Sequence, residues 1–286
     1  MRVPLPSGLV DHAREFTEGR RTPAEPRDAA TVILMRPAPD GRSGPELYLL
    51  RRQTTMAFAG GMCVFPGGGV DPRDFDDGVA WSGPAPSVWA AHLQTSEEMA
   101  RALVCAAVRE TFEESGVLLA GPSRDEVVAD TTGEDWEADR QALEGKDLAF
   151  TALLERRGLV LRSDLLGAWS AWCTPEFEPR RYRTWFFVAA LPPGQRTRDV
   201  STESSSVTWL SALGACAAVD AEQIGMMPPT YVTCLEVGQH ADPDAVLAAA
   251  PGRDLTMFTP GVERDGEGAT MSVPDRVTTL LEARLG

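Results

Sequence analysis

The chain of 286 residues is long enough for one large domain with an ample core, and its 43% hydrophobic and 24% charged residues are ordinary for a globular protein. Its formal net charge of −15 argues against bulk binding to nucleic acid or to anionic membranes, because both need a basic surface. No apolar run approaches the ~18 residues of a membrane span, and we expect no signal peptide. Five widely spaced cysteines without zinc-site spacing predict reduced thiols, and hence a cytoplasmic protein.

The first part of the chain predicts a lead-in followed by a strand pair. Residues 1–27 are expected to be flexible around one short helix, residues 9–18. Residues 29–36 and 45–52 have the composition of strands, and the proline- and glycine-rich loop between them predicts a β-hairpin. Residues 60–65 form a short apolar strand that leads into a glycine turn.

An acidic insert and a long helix come next. Residues 70–94 predict an irregular segment, since aspartates, glycines and prolines interrupt any period. The helix is predicted to begin at Thr95, where Thr95 and Glu98 have the spacing of a capping box, and to end before Gly116. Its apolar residues repeat every fourth position on the side opposite its last glutamates, so we expect one side to pack and the other to meet a ligand.

The remainder predicts a second, helical insertion at about 122–165, with helices at 135–143 and 148–157. The later elements are a strand at 184–191, a strand at 206–210, a helix at 211–219, a helix at 227–237 confined to the part after Pro228 and Pro229, and strands around an Arg264-Asp265-Gly266 turn. No linker divides the chain. We therefore predict one domain over residues 28–240 with insertions at about 70–94 and 122–165, and a C-terminal extension over 241–286 packed on it. Dimerisation, as a homodimer, and a substrate lid are both open as roles for that extension.

Three glutamates at the end of the long helix are the most informative feature. Glu110, Glu113 and Glu114 stand at i, i+3 and i+4, so their side chains share one face and repel one another. Hard oxygen donors beside a glycine turn suit Mg2+ or Mn2+, and through the metal a phosphate. A solvated, charged helix end is the alternative, and the upstream glycine turn favours the metal site.

The order of turn and helix resembles the Nudix box, Gly-x5-Glu-x7-Arg-Glu-U-x-Glu-Glu-x-Gly-U, in which U is apolar. The second half matches throughout, at Arg109-Glu110-Thr111-Phe112-Glu113-Glu114-Ser115-Gly116-Val117. The first half matches at Phe65-Pro66-Gly67-Gly68. Arg109 follows Gly68 by 41 positions against 14 in the usual box, an excess of 27, and Arg101 stands eight positions before Arg109, where the box has glutamate. Glu98 lies about 16 Å away along a continuous helix, too far to replace it.

A long insertion inside the box is similar to one Nudix subgroup, which includes a mammalian peroxisomal acyl-CoA diphosphatase. Residues 49–52, 172–175 and 180–187 resemble that subgroup too, and the resemblance covers roughly residues 28–240. It implies an α/β/α sandwich with a mixed sheet. It also implies hydrolysis of a diphosphate bond with Mg2+ or Mn2+ as cofactor, in a small nucleoside diphosphate derivative.

The resemblance implies roles for individual residues. Glu113 and Glu114 would be metal ligands, Glu110 a ligand or water-orienting base, and the carbonyl of Gly68 a further ligand, while Arg109 would hold the glutamates in place. A further acidic ligand often comes from a later loop, where Glu203 is the candidate and a surface acid the alternative. The candidates for contacts to substrate phosphates are Arg51, Arg181 and Arg183, which exposure on a strand would also explain.

Coenzyme A or acyl-CoA is the substrate that the subgroup implies, although the stretch 57–61 lacks the arginine of the more familiar coenzyme A hydrolase signature. ADP-ribose, NADH and nucleoside triphosphates are alternatives. From another class comes a catalytically silent Nudix-fold ligand sensor or scaffold, which Arg101 at the glutamate position would allow.

Overall fold

The computed structural model describes residues 7–39, 44–55, 59–265 and 268–285. Its strands are β1 (Arg27–Pro37), β2 (Pro45–Arg52), β3 (Cys63–Val64), β4 (Gly67–Gly69), β5 (Trp81–Ser82), β6 (Ala120–Gly121), β7 (Val160–Arg162), β8 (Gly167–Cys173), β9 (Tyr182–Ala190), β10 (Ser204–Ser211), β11 (Val262–Asp265) and β12 (Gly268–Met271). Its helices are α1 (Ser7–Thr17), α2 (Pro86–Leu93), α3 (Glu97–Ser115), α4 (Glu134–Glu144), α5 (Phe150–Arg157), α6 (Ala212–Asp220), α7 (Pro228–Val237), α8 (Pro243–Ala249) and α9 (Asp275–Leu285).

The main sheet has the strand order β10-β2-β1-β9-β8, with β3 added to β2 and β4 added to β1. β1 and β2 are antiparallel, as the predicted hairpin requires, whereas β1 and β9 are parallel, so the sheet is mixed. Both faces of β1 are buried, because its apolar residues follow one another without polar alternation. A sheet of this kind needs a layer on each side.

Helices provide those two layers. On one face Ala30, Val32 and Leu34 pack with α2 and α3. On the other face Ile33 and Met35 pack with residues of α6, α7, α8 and α9. The predicted α/β/α sandwich is confirmed.

The long helix α3 begins later than predicted. Ser96 is the N-cap, because its Oγ accepts the backbone N–H of Met99. The predicted start at Thr95 is therefore wrong by one residue. Gly116 ends the helix with φ 74°, a left-handed conformation that glycine adopts without strain. The middle of α3 is buried on all sides. Its glutamate side therefore lies inside the protein, and the expectation that this side meets a ligand stays a prediction.

The segment 70–94 is more regular than predicted. A 3-10 turn at Pro72–Phe75 is closed by a capping box from Asp71, and α2 begins with Pro86 in the first turn, where proline fits. β5 of this first insertion pairs with β7 of the second, and β7 also pairs with β6, which follows α3. The two insertions therefore join in one small sheet.

Other predicted elements are found with small shifts. β2 has its predicted bounds, and α4 and α5 lie where the second insertion was predicted to be helical. α7 begins at Pro228, so the expectation that the prolines stay outside the helix is wrong, since proline lacks only an N–H that is unpaired there anyway. β8, α8 and α9 were not predicted. The turn predicted around Gly266 lies partly outside the described residues, and within them no helix is long and apolar enough to cross a membrane.

Phe187 tests the packing between the sheet and α2. Its ring is fully buried and meets Trp89 edge-on at 5.9 Å. Replacing Phe187 by Ala should lower the free energy of unfolding by about 3–5 kcal/mol in urea denaturation, because a large cavity remains. Val88 on the same helix is 57% exposed, and Val88→Ala should change it by less than about 0.5 kcal/mol. Equal effects of the two substitutions would contradict this core.

Candidate active site

Three glycines form a strap between the sheet and α3. This glycine strap, β4, pairs with β1 so that Gly67 lies opposite Thr31 and Gly69 opposite Ala29. A Cβ on Gly67 would lie 2.5 Å from the carbonyl oxygen of Ala30, and a Cβ on Gly68 would lie 2.5 Å from Oε1 of Glu110. Only glycine lets the carboxylates of α3 come this close to a backbone.

Two glutamates of α3 meet the strap directly. Oε2 of Glu114 accepts the backbone N–H of Gly67 at 2.8 Å, and the carboxylate of Glu110 lies against Gly68. The predicted neighbours Gly68, Glu110 and Glu114 are therefore brought together. Glu113, one residue before Glu114, turns toward Arg109.

Arg109 is the centre of this cluster and is 8% exposed. Its Nη1 donates to Oε1 of Glu110 at 2.7 Å and to Oε1 of Glu113 at 3.1 Å. Its Nη2 donates to the carbonyl of Gly69 at 3.0 Å, and Nε and Nη2 form a two-point ion pair with Asp74 at 3.0 and 2.9 Å. These contacts match the five N–H donors of a guanidinium. The side chain has one position that satisfies all of them.

Asp74 is the functional residue that the sequence analysis missed. It lies in the 3-10 turn of the first insertion, is 1% exposed, and also accepts the backbone N–H of Asp71 at 2.8 Å. Counted forward from Gly68, Asp74 is six positions on, the place of glutamate in Gly-x5-Glu. The 27 residues in excess of the usual box therefore lie between Asp74 and Arg109. The expectation that Arg101 occupies it, leaving Arg109 without a partner, is wrong.

The cluster carries more negative charge than it can neutralise. Burial raises the pKa of Glu110 to about 7, against the opposing charge of Arg109, and burial also raises the pKa of Glu113. Burial and the charge of Glu110 hold the pKa of Glu114 well above its usual range. Raised carboxyl pKa values mean that the folded protein disfavours the charged forms unless a cation is added.

Glu203 lies across the strap from α3. It pairs with Arg52 at 2.9 Å, and its negative charge contributes to the raised pKa of Glu114. The loop before it is held by the second insertion, because Oε1 of Glu144 accepts the N–H and the hydroxyl of Thr202 at 2.9 and 2.7 Å. Its role as a metal ligand stays a prediction.

The three predicted substrate arginines make their contacts elsewhere in the described part of the chain, and none of them contacts the glutamates of α3. Arg51 is exposed and donates to the carbonyl of Gly61 at 3.3 Å. Arg181 donates to the carbonyls of Thr174 and Ala24, and Arg183 pairs with Asp28. Their contact with substrate stays a prediction.

A cavity of about 770 Å³ opens above the strap. Its lining contains all three strap glycines, Arg52 and Glu203 near β2, and apolar side chains near β8. A small molecule in this cavity would lie next to the backbone that Glu110 and Glu114 contact from the other side.

The residues at the strap fit a divalent metal ion. In the described part of the chain no three His, Cys, Asp or Glu side chains are already arranged around one point, because Arg109 and the Gly67 amide hold the carboxylate oxygens. The donors are nevertheless all buried oxygen atoms, and the carboxylates carry more negative charge than the one guanidinium among them can neutralise. Mg2+ and Mn2+ prefer oxygen donors of this kind. Glu110, Glu113, Glu114 and the Gly68 carbonyl remain the predicted ligands.

The chain is similar to proteins of known family. Acyl-coenzyme A diphosphatase NUDT19 of Gallus gallus is 27% identical over 72% of this chain and 66% of the relative. The protein of the same name from Xenopus laevis is 25% identical over 65% of this chain and 58% of the relative. The chain thus spans less than two thirds of the length of these relatives.

A solved structure supports the fold. The crystal structure of a Nudix hydrolase from Alicyclobacillus acidocaldarius superposes with a TM-score of 0.67 at 22% identity, over 82% of this chain and 99% of that one. The family model of the NUDT19 Nudix domain matches residues 80–236, which contain α3 and begin after the strap and Asp74. Because this match covers more than half of the chain, the protein belongs to the NUDT19 Nudix domain family.

Proposed function

We propose that the protein hydrolyses the diphosphate bond of coenzyme A or an acyl-CoA, with Mg2+ or Mn2+ as cofactor. Water adds across the P–O–P link, so one phosphate ester is adenosine 3′,5′-bisphosphate and the other is phosphopantetheine or its acyl derivative. We keep the cytoplasmic location as part of the proposal, since all five cysteines are free and buried.

One observation carries the chemistry: buried carboxylates in excess of positive charge lie against a glycine backbone that floors a cavity. A divalent cation held by Glu113 and Glu114, with Glu110 and the Gly68 carbonyl, would supply neutralisation of phosphate oxygens and a more acidic water. The strap lets a diphosphate approach closely, because no side chain stands on it. In this proposal Glu110 orients the water or accepts its proton.

Arg109 and Asp74 act as positioning groups. The guanidinium holds Glu110 and Glu113 in one arrangement, and Asp74 holds the guanidinium through two N–H donors. The pairing of Asp74 with Arg109 weakens the case for a catalytically silent sensor, since that alternative rested on Arg101 standing at the glutamate position.

The substrate class rests on the relatives named acyl-coenzyme A diphosphatase and on the cavity, which continues from the strap to an apolar region. The test is a hydrolysis panel with Mg2+ or Mn2+ over coenzyme A, acyl-CoAs, ADP-ribose, NADH and nucleoside triphosphates, with products identified by mass. We expect adenosine 3′,5′-bisphosphate from coenzyme A compounds. Faster turnover of ADP-ribose or NADH would replace the proposed substrate.

Two glutamates test the metal assignment. Glu113→Gln and Glu114→Gln should each lower kcat by about 10²- to 10⁴-fold, because a neutral amide binds a hard cation poorly. They should also reduce the rise in Tm that Mn2+ causes in the parent, because a ligand stabilises only the state that binds it. Both are measured on the same samples.

Glu97→Gln is the matched control, since Glu97 begins the same helix far from the strap and is exposed. It should keep parental turnover and the parental Mn2+ response. If both Gln variants at the strap retained parental kcat, the metal assignment would be wrong.

Asp74 gives a separate test of positioning. Asp74→Asn should lower kcat by about 10- to 100-fold with little change in KM, because the Arg109 guanidinium loses an orienting charge. The free energy of unfolding should fall by about 2 kcal/mol, since hydrogen bonds to a charged group are weakened. Asp74→Glu restores the usual box residue and should retain most of the activity.

The control is Asp77→Asn in the same insertion, where the side chain is exposed. It should behave as the parent. If Asp74→Asn lost stability but kept parental kcat at temperatures well below its Tm, Asp74 would only stabilise the fold.

A further inference from the structure

The cavity extends across the sheet, well beyond the strap. One register row joins Gly69, Ala29, Thr184 and Trp172 on four neighbouring strands, and all four residues line the cavity. Three inter-strand steps separate Gly69 from Trp172, which is about 14 Å. A molecule bound at the strap can therefore reach the β8 side of the sheet within one cavity.

The far end of this row is apolar. Trp172, Phe177 and Phe186 form its floor. We call this end the apolar lobe, and it includes Pro260 and Met271 from the tail. Its surface suits a hydrocarbon group.

The tail builds one wall of the lobe. Phe258 forms a bridge with Trp172: it accepts the N–H of Cys173 at 2.8 Å and donates to the carbonyl of Ala171 at 3.0 Å. The rings of Phe258 and Trp172 also meet edge-on at 5.2 Å. These contacts attach the segment before β11 to the edge strand β8 and bring Met271, at the end of β12, to the cavity.

The base of the tail hairpin is held as well. Gly261 and Ser272 exchange two hydrogen bonds, from the Gly261 N–H to Oγ at 2.7 Å and from the Ser272 N–H to the Gly261 carbonyl at 2.8 Å. Met271 precedes Ser272, so its backbone position is set by this exchange. The tail lies outside residues 80–236 that match the family model.

The charged side chains at the two ends of the cavity indicate which part of a coenzyme A compound the apolar lobe accepts. Among the described lining residues the only guanidinium is that of Arg52, at the opposite end, where it pairs with Glu203, whereas the lobe side carries Glu178 with no lining guanidinium beside it. Arg181 is near Cys173 but is not in the lining, and its N–H groups donate to backbone carbonyls. A 3′-phosphate there would be repelled by the Glu178 carboxylate, whereas an uncharged chain would not be and could pack on the aromatic side chains.

We propose that the apolar lobe binds the acyl end of an acyl-CoA, and that Met271 of the C-terminal hairpin sets the preference for acyl chains. This inference rests on the proposed function. With the diphosphate at the strap, the uncharged pantetheine arm spans the row toward Trp172, and the acyl chain packs between the aromatic floor and Met271. The nucleotide then lies toward Arg52.

The experiment compares kcat/KM for coenzyme A, acetyl-CoA, decanoyl-CoA and dephospho-CoA. The parent should favour decanoyl-CoA over coenzyme A. Met271→Asp should lower kcat/KM for decanoyl-CoA at least tenfold and leave coenzyme A within twofold, because a charged group faces the chain. Met271→Trp should lower kcat/KM for decanoyl-CoA and leave kcat/KM for acetyl-CoA unchanged, since a larger side chain shortens the lobe. Val88→Asp, on exposed surface of α2, is the control and should leave all four values unchanged.

The outcomes separate the two proposals. No hydrolysis of any coenzyme A compound by the parent would overturn the proposed function itself. If the parent hydrolyses them without preferring decanoyl-CoA, or if folded Met271 variants change every substrate equally, the acyl lobe is wrong. If the Met271 variants changed the ratio of kcat/KM for coenzyme A to that for dephospho-CoA, and left the preference among acyl chains unchanged, the lobe would be assigned to the nucleotide instead. Should Met271→Asp fail to fold, Met271→Trp alone decides.

Discussion

The guanidinium of Arg109 is the interaction on which the site depends. It is buried, and its donors go to Asp74, Glu110, Glu113 and the carbonyl of Gly69. One cation thereby joins the first insertion, two carboxylates of α3 and the glycine strap. Removing it would take from the buried carboxylates of Glu110 and Glu113 the guanidinium that they share, which is far more costly than losing one surface ion pair.

The insertions stabilise this arrangement from outside. Arg140 of α4 donates to the carbonyl of Glu113 at 2.7 Å and to Glu144 at 3.0 Å, and Glu144 accepts from Thr202, the residue before Glu203. The second insertion thus links the end of α3 to the loop on the other side of the strap. The first insertion contributes Asp74, and the small sheet of β5, β7 and β6 holds both insertions together. Both insertions therefore support the geometry of the box, although only the first interrupts it.

Local features were predictable from the sequence and distant ones were not. The shared face of Glu110, Glu113 and Glu114 follows from helical spacing alone, and their closeness to Gly68 follows from the order of the box. Asp74 was missed because the box was counted backward from Arg109, although forward counting from Gly68 would have found it. Arg140 could not be found, since its contact joins elements that only the folded chain brings together. β8 was missed because its run of Gly, Ala and Ser lacks the β-branched residues typical of strands.

The central claim is that the buried carboxylates of α3 bind a divalent cation against the glycine strap. The most direct measurement is an anomalous difference map from crystals of the protein grown with Mn2+. The account predicts a peak within coordinating distance of Glu113 and Glu114, on the side of the strap where the Gly68 carbonyl and Glu110 can reach it. A map in which Mn2+ binds elsewhere, while crystals of an active protein show only Arg109 beside these glutamates, would contradict it.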